Sequence, residues 1–480
     1  MNRRMVLNTV GHIILAEAAL LLLPALVSVI YLEECVWSFL ITIAIAIIFG
    51  LVLKFASRPD TRVIYAKEGF VIVSFAWVLM SVIGALPFFL SGEIPHYVDA
   101  LFETVSGFTT TGASILTDVE AMSNGLLFWR SFTHWIGGMG VIVFVMAIMP
   151  NIADRSMHIM KAEVPGPTVG KLVPKARETA KILYLIYIAL TIVMIAMLLF
   201  GGMPLFDSIV HAFGTAGTGG FGIKADSIGG YNSYCQWVIT AFMLVFSLNF
   251  NLYYLILLRK TKAVLKSTEL WFFVGLVMVC VAVITYNIYP LYATFEETIR
   301  TSSFQVATII STTGYATTNF NTWPGLSKAI LLMLMIVGGC AGSTAGGLKC
   351  ARVVMLIKTV HRELKKLLHP RSVRAVNMED KRVDEQTLSG VTSYFAIYIM
   401  CIICIFVLLS VEPFGIETNL SATLACFNNV GPGFGAVGPI GSYAEYSVFS
   451  KLLLTLAMLL GRLEIFPLIL GLNPLVWRKR

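Results

Sequence analysis

The stretch Phe102-Glu103-Thr104-Val105-Ser106-Gly107-Phe108-Thr109-Thr110-Thr111-Gly112-Ala113 decides how this chain is read. Its outline returns three times. The second copy is Ala212-Phe213-Gly214-Thr215-Ala216-Gly217-Thr218-Gly219-Gly220-Phe221. The third is Phe304-Gln305-Val306-Ala307-Thr308-Ile309-Ile310-Ser311-Thr312-Thr313-Gly314-Tyr315, and the fourth is Ala425-Cys426-Phe427-Asn428-Asn429-Val430-Gly431-Pro432-Gly433-Phe434. With Gly112, Gly219, Gly314 and Gly431 as markers, the spacings are 107, 95 and 117 residues. About ten residues before each marker read as a short helix. Asp99, Asp207, Glu297 and Glu417 lie near its start, where negative charge suits the helix dipole. A long apolar run stands on either side. The repeated unit is helix, short re-entrant helix, extended polar strand, helix.

Composition sets the solvent. The chain has 480 residues, 57% apolar and only 13% charged, against about 25% charged in ordinary soluble domains. Mean hydropathy is +0.81. Too little charge is present to cover soluble domains, which excludes most cytosolic enzymes, secreted scaffolds and disordered chains. Apolar runs at 10–30, 37–55, 69–90, 126–149, 181–201, 234–258, 270–289, 326–357, 388–410 and 447–471 predict ten spans. Lipid forces backbone groups to pair within a segment, so the spans are helices; a β-barrel would alternate every second residue. The fold class expected is an all-α polytopic membrane protein, four pseudo-symmetric helix–pore helix–helix repeats around a central ion pathway, preceded by two extra transmembrane helices. The expected divisions are an N-terminal pair (1–60), four repeats (66–150, 178–260, 268–360 with a broken last helix, and 387–475), and a basic loop at 361–386.

Of the 35 basic residues, 29 fall at the N-terminus, 54–67, 155–181, 259–266, 349–382 and 478–480. The alternate loops carry acids such as Glu33, Glu93, Asp118 and Glu412. This asymmetry predicts cytoplasmic termini in a multi-pass chain. It accounts for the net charge of +8 by contact with the lipid bilayer, without nucleic acid. The eight cysteines and seven histidines form no spaced ligand set. Asn249 and Asn251 are read as capping or cross-helix residues, and Glu17 is given no role.

Extended backbone at membrane depth is tolerated where it lines water or is buried in protein. Four such segments with almost no charge suit a weakly hydrated cation held by carbonyl and threonine oxygens. The run Gly338-Gly339-Cys340-Ala341-Gly342-Ser343-Thr344-Ala345-Gly346-Gly347-Leu348-Lys349 interrupts the third outgoing span. Glycine costs about 1 kcal/mol per helix position relative to alanine, so this run reads as an intramembrane loop that obstructs the path. A tight helix crossing is the plainer reading. Arg462, deep in the last span, faces the path, ties down the broken span or makes an intramembrane salt bridge; Glu464, two residues on, does not share its helical face.

The chain resembles the membrane subunit of the bacterial Trk/Ktr potassium uptake systems, TrkH/TrkG-like branch, in the superfamily of K+ transporters. The resemblance rests on the four glycine segments, on His134-Trp135-Ile136-Gly137-Gly138-Met139-Gly140, on the 338–349 run and on Arg462. It implies a selectivity filter at Thr110, Thr111, Gly112, Thr218, Gly219, Thr312, Thr313, Gly314, Asn429, Val430 and Gly431, with K+ bound at these positions. It implies a gate at Gly338, Gly339, Gly342, Ser343, Thr344, Gly346, Gly347, Lys349 and Arg462. It implies K+ uptake across the cytoplasmic (inner) membrane by a homodimer seated on a cytosolic ring of Rossmann-type regulatory subunits. Nucleotide then belongs to that partner, with no organic cofactor in this chain. The natural docking surfaces are 155–181 and 349–382. A carrier coupling K+ to H+ or Na+ is the alternative; a membrane-embedded enzyme or scaffold fits less well.

Overall fold

A computed structural model describes residues 2–57, 66–140, 176–370, 374–379 and 381–472. Most of the basic segment 155–181, and residues 141–149 of the fourth expected span, lie outside the described residues. Among the described residues the regular structure is helical apart from one two-stranded hairpin.

The N-terminal pair is α1 (Arg3–Leu20) with its continuation α2 (Leu22–Ile30), then α3 (Val36–Ala56). The side chain of Asn2 caps α1 by accepting the N–H of Met5 at 3.1 Å. The first unit follows: α4 (Ala66–Gly84) with the short α5 (Leu86–Leu90), the re-entrant α6 (Tyr97–Phe108) and the outgoing α7 (Asn124–Gly138). The second unit is α8 (Ala176–Phe200), α9 (Leu205–Gly217), α10 (Ser233–Phe246) and α11 (Phe250–Leu257). A short helix, α12 (Thr261–Leu265), leads to the third: α13 (Thr268–Ile288), α14 (Phe295–Ile310), α15 (Gly325–Val337) and α16 (Cys350–Leu368). A hairpin of β1 (Asn377–Met378) and β2 (Lys381–Arg382) precedes the fourth: α17 (Glu385–Leu409), α18 (Ile416–Phe427), α19 (Val448–Arg462) and α20 (Phe466–Leu472).

Six described segments are long and apolar enough to cross a membrane. The other four expected spans are the outgoing ones, and the three that are described throughout are shorter or broken. α10 and α11 meet at 90° across Ser247–Asn249. There the Asn249 side chain accepts the N–H of Asn251 at 2.9 Å and starts a new helix. α15 stops at Gly338, whose φ of 68° no helix uses. α19 stops where Glu464 and Ile465 turn to φ of 57° and 51°. α7 ends at Gly138, with Gly140 at φ 80°.

Each short helix packs on the incoming helix of its own unit and on the outgoing helix of the unit before it. Thus α6 lies on α4 and α19, α9 on α8 and α7, α14 on α13 and α10, and α18 on α17 and α15. The four units therefore close on themselves in chain order. The acids expected at the short-helix starts are there, in first turns. Two of them also staple joints between units, Asp99 to Lys451 at 2.7 Å and Glu417 to Lys328 at 2.9 Å, and Glu296, next to Glu297, takes the Trp237 indole at 3.3 Å. Large apolar side chains stay exposed on α3 (Ile48), α8 (Leu185), α13 (Met278) and α17 (Val407). Such a belt is costly in water and suits lipid.

Candidate ion pathway

The four short helices end identically. The N–H groups of Thr111, Gly219, Thr313 and Val430 return to the carbonyls of Ser106, Gly214, Thr308 and Ala425, each at 2.8 Å. The N–H groups of Thr110, Thr218, Thr312 and Asn429 return to Gly107, Thr215, Ile309 and Cys426 at 3.0, 3.0, 3.1 and 3.3 Å. These are four Schellman caps. The residue at the left-handed position is normally glycine; here it is Thr110, Thr218, Thr312 or Asn429, at φ 54°, 55°, 57° and 57°. A β-branched residue there costs about 1–2 kcal/mol. Three such threonines at one structural position mark stored strain of the kind found at functional sites.

Two residues on, Gly112, Gly220, Gly314 and Gly431 also take positive φ, at 79°, 77°, 89° and 94°. A Cβ on each would collide with a backbone carbonyl of the next strand. Gly112 faces Gly219 O, Gly220 faces Thr313 O, Gly314 faces Val430 O, and Gly431 faces Thr111 O. The four strands thus abut in a closed ring, in sequence order. Glycine is required twice over, for dihedral and for space. The equivalent second residue is Gly220, one position beyond the Gly219 marker expected from sequence. Gly219 instead aligns with Thr111, Thr313 and Val430, the residues whose carbonyls the neighbouring glycines touch.

Outside the ring a cavity of about 190 Å³ is lined by all four glycines, with Arg130, Phe221 and Tyr443 at its wall. On the other side the space is only about 10 Å³, enclosed by Gly346, Lys349, Asn429, Arg462 and Glu464 among others. The 338–349 loop fills that side. Gly346 N–H donates to Thr312 Oγ1 at 2.6 Å, and Gly347 N–H to Asn428 O at 3.1 Å. A Cβ on Gly346 would strike Asn428 O. Lys349 Nζ bonds back to Ala345 O within the loop.

The broken outgoing helices supply the loop's seat. Carbonyls at a helix C-terminus lack intrahelical partners. Ser247 O accepts from Cys340 N–H at 2.9 Å, and Phe246 O from Thr344 Oγ1 at 3.1 Å. Gly342 O accepts from Phe250 N–H at 3.1 Å. Arg462 serves the same purpose: its guanidinium donates to Thr344 O at 2.8 Å and to Gly137 O and Gly138 O at 2.6 and 2.8 Å. One side chain thereby joins the loop to the ends of α7 and α19.

The TrkH family, described as cation transport protein, matches residues 37–474. The chain belongs to the TrkH family. It is 35% identical to the Trk system potassium uptake protein TrkH of Salmonella typhimurium, with full coverage of both chains. It is 33% identical to TrkG of Escherichia coli strain K12 over 99% of each. The crystal structure of the potassium transporter TrkH from Vibrio parahaemolyticus aligns with a TM-score of 0.89 at 30% identity, again over both whole chains. This is a transporter family, not an enzyme family.

In this TrkH-family chain the structure brings every sequence-predicted site residue to the ring or to the loop beneath it. Four others were missed. Glu103 on α6, fully buried, takes Arg130 Nε at 2.6 Å and Ile115 N–H at 2.9 Å. Arg130 reaches on to Gly222 O at 2.8 Å and stacks 3.6 Å over Phe221, so the pair braces the strands of the first and second units from behind. Glu464, set aside because it does not share the Arg462 face, pairs with Arg352 of α16 at 2.6 Å. Glu269 bonds the loop itself. Isolated charges inside apolar runs were the available signal; their partners lie 27 to 112 residues away.

Proposed function

We propose that this chain takes up potassium through the ring, with backbone carbonyls as the main ligands and K+ as the cargo. The closed ring of four strands carries this reading: it presents carbonyl oxygens at matched positions and no charge. The hydroxyl of Thr110, buried with no protein partner, is a further oxygen on offer. Carbonyl dipoles replace the shell of a weakly hydrated monovalent ion without the carboxylates a divalent ion demands. Thr110, Thr111, Gly112, Thr218, Gly219, Gly220, Thr312, Thr313, Gly314, Asn429, Val430 and Gly431 are the filter on this reading. The 338–349 loop, held by Lys349 and Arg462, is the gate in its closed position. A coupled carrier would need an ionisable group that reloads at the ring; the buried acid of the first short helix, Glu103, is committed to Arg130.

On this reading the chain works as a homodimer in the inner membrane with both termini cytoplasmic. A cytosolic Rossmann-type ring that binds nucleotide docks on segments 155–181 and 349–382 and moves the gate. The relatives named as potassium uptake proteins of the Trk system support the cargo. The test is growth of bacteria lacking their own K+ uptake, expressing this chain, in micromolar against millimolar K+. Rescue at low K+ supports the proposal. Rescue by Na+ alone, or none with the protein in the membrane, refutes it.

A further inference from the structure

One carboxylate pins the 338–349 loop at both ends. Glu269 Oε1, in the first turn of α13, accepts the N–H of Ala341 at 2.6 Å and the N–H of Ala351 at 3.0 Å. Ala341 lies on the outgoing arm of the loop; Ala351 lies in the first turn of α16, just past its return. Glu269 is 6% exposed. A buried carboxylate is expensive unless its hydrogen bonds require it.

The same two alanines belong to a small apolar cluster apart from the main core, with Met355, Val376, Leu388 and Val391. Val376 stands immediately before β1, and its carbonyl accepts the N–H of Val383, just after β2, at 2.8 Å. The hairpin is tied to both neighbours of the loop. Ser267 Oγ donates to Glu379 Oε1 at 3.2 Å, and Lys358 Nζ of α16 donates to Asn377 O at 2.8 Å. The hairpin is otherwise exposed, with Arg374, Lys381 and Arg382 at its surface.

We infer that Glu269 is the positioning residue that latches the loop shut, and that the β1–β2 hairpin is the handle through which the latch is released. Moving the hairpin withdraws Val376 from Ala341 and pulls on Ser267, two residues from Glu269. The loop then loses its apolar backing and its carboxylate together. This rests on the gate reading above, and the experiment separates the two.

The assay is ⁸⁶Rb⁺ uptake into liposomes holding the purified full-length chain, with no cytosolic partner present. The variants are Glu269→Ala, Glu269→Gln, Val376→Asp and a chain shortened by residues 342–346. Glu269→Ala and Val376→Asp are expected to raise partner-free uptake about tenfold, because a charge-assisted hydrogen bond is lost from the closed state or the backing is removed. Glu269→Gln keeps an acceptor oxygen and is expected to restore closure to within about twofold of the wild type. The shortened chain leaks if the loop is the gate. A leaking shortened chain beside silent, folded Glu269→Ala and Val376→Asp overturns the latch alone. A silent shortened chain overturns the gate reading and the latch with it. If Glu269→Ala does not fold, Val376→Asp decides by the same criterion, and Glu269→Gln leaking as strongly as it overturns the acceptor role.

Discussion

Replacing Gly220 with alanine tests the ring where structure and sequence pattern disagree. Gly220 sits at φ 77°, and an added Cβ would collide with Thr313 O on the next strand. The dihedral alone costs about 1–2 kcal/mol. The carbonyl cannot stay in place either, because ordinary contact needs the oxygen beyond about 3 Å, so Thr313 O must swing by about an ångström or more. That oxygen belongs to the proposed coordination ring. A disturbance of about 1.4 kcal/mol in the preference for K+ over Na+ is a factor of ten in selectivity. Gly220→Ala is therefore expected to lower the Rb+/Na+ uptake ratio about tenfold or more, measured in K+-uptake-deficient cells expressing the chain so that cytosolic partners are present. Gly275→Ala is the control. Its Cβ would meet nothing within 4 Å on α13, and the exchange should leave the ratio unchanged while stabilising the helix by about 0.5–1 kcal/mol. An unchanged ratio in correctly inserted Gly220→Ala protein would refute the argument that this glycine keeps the ring closed.

Three further supports are open to substitution. Asn429→Ala removes bonds to Thr111 Oγ1 at 2.9 Å and Met458 O at 3.0 Å; a loss of about 2–3 kcal/mol is expected as a lower Tm in detergent, together with reduced K+ selectivity. Arg462→Ala frees the carbonyls of Thr344, Gly137 and Gly138, and is expected to raise partner-free uptake; Arg462→Lys should restore closure only in part, because an ammonium lacks the planar fork. Glu103→Gln strands the buried Arg130 charge and is expected to cost about 3–5 kcal/mol. Glu103→Gln with Arg130→Met should recover much of that by a double-mutant cycle in Tm, and strict additivity would contradict the pairing.

Much of this architecture is visible in residue order. The apolar runs locate the incoming helices, and the four glycine segments locate the strands, because membrane burial and glycine both leave local marks. The register of the second strand does not, since Gly219-Gly220 offers two candidates and only the dihedrals choose. The break at Ser247–Asn249 hides in an apolar run, with asparagine as its single cue. The break at Leu463–Ile465 hides similarly, since leucine and isoleucine favour continuation and the turn is held by the Glu464–Arg352 pair. The glycine-dense 338–347 run announced itself by propensity alone. Glu103, Arg130 and Glu269 stayed silent because their importance lies in partners that only the closed bundle brings near.

The most direct test of the central claim is the anomalous scattering of Rb+ or Tl+ in crystals of the protein, compared with crystals grown in Na+. The account predicts peaks on the ring axis, level with the carbonyls of Thr111, Gly219, Thr313 and Val430, and their loss in Gly220→Ala. Peaks confined to other parts of the molecule, or an empty ring at saturating Rb+, would contradict it.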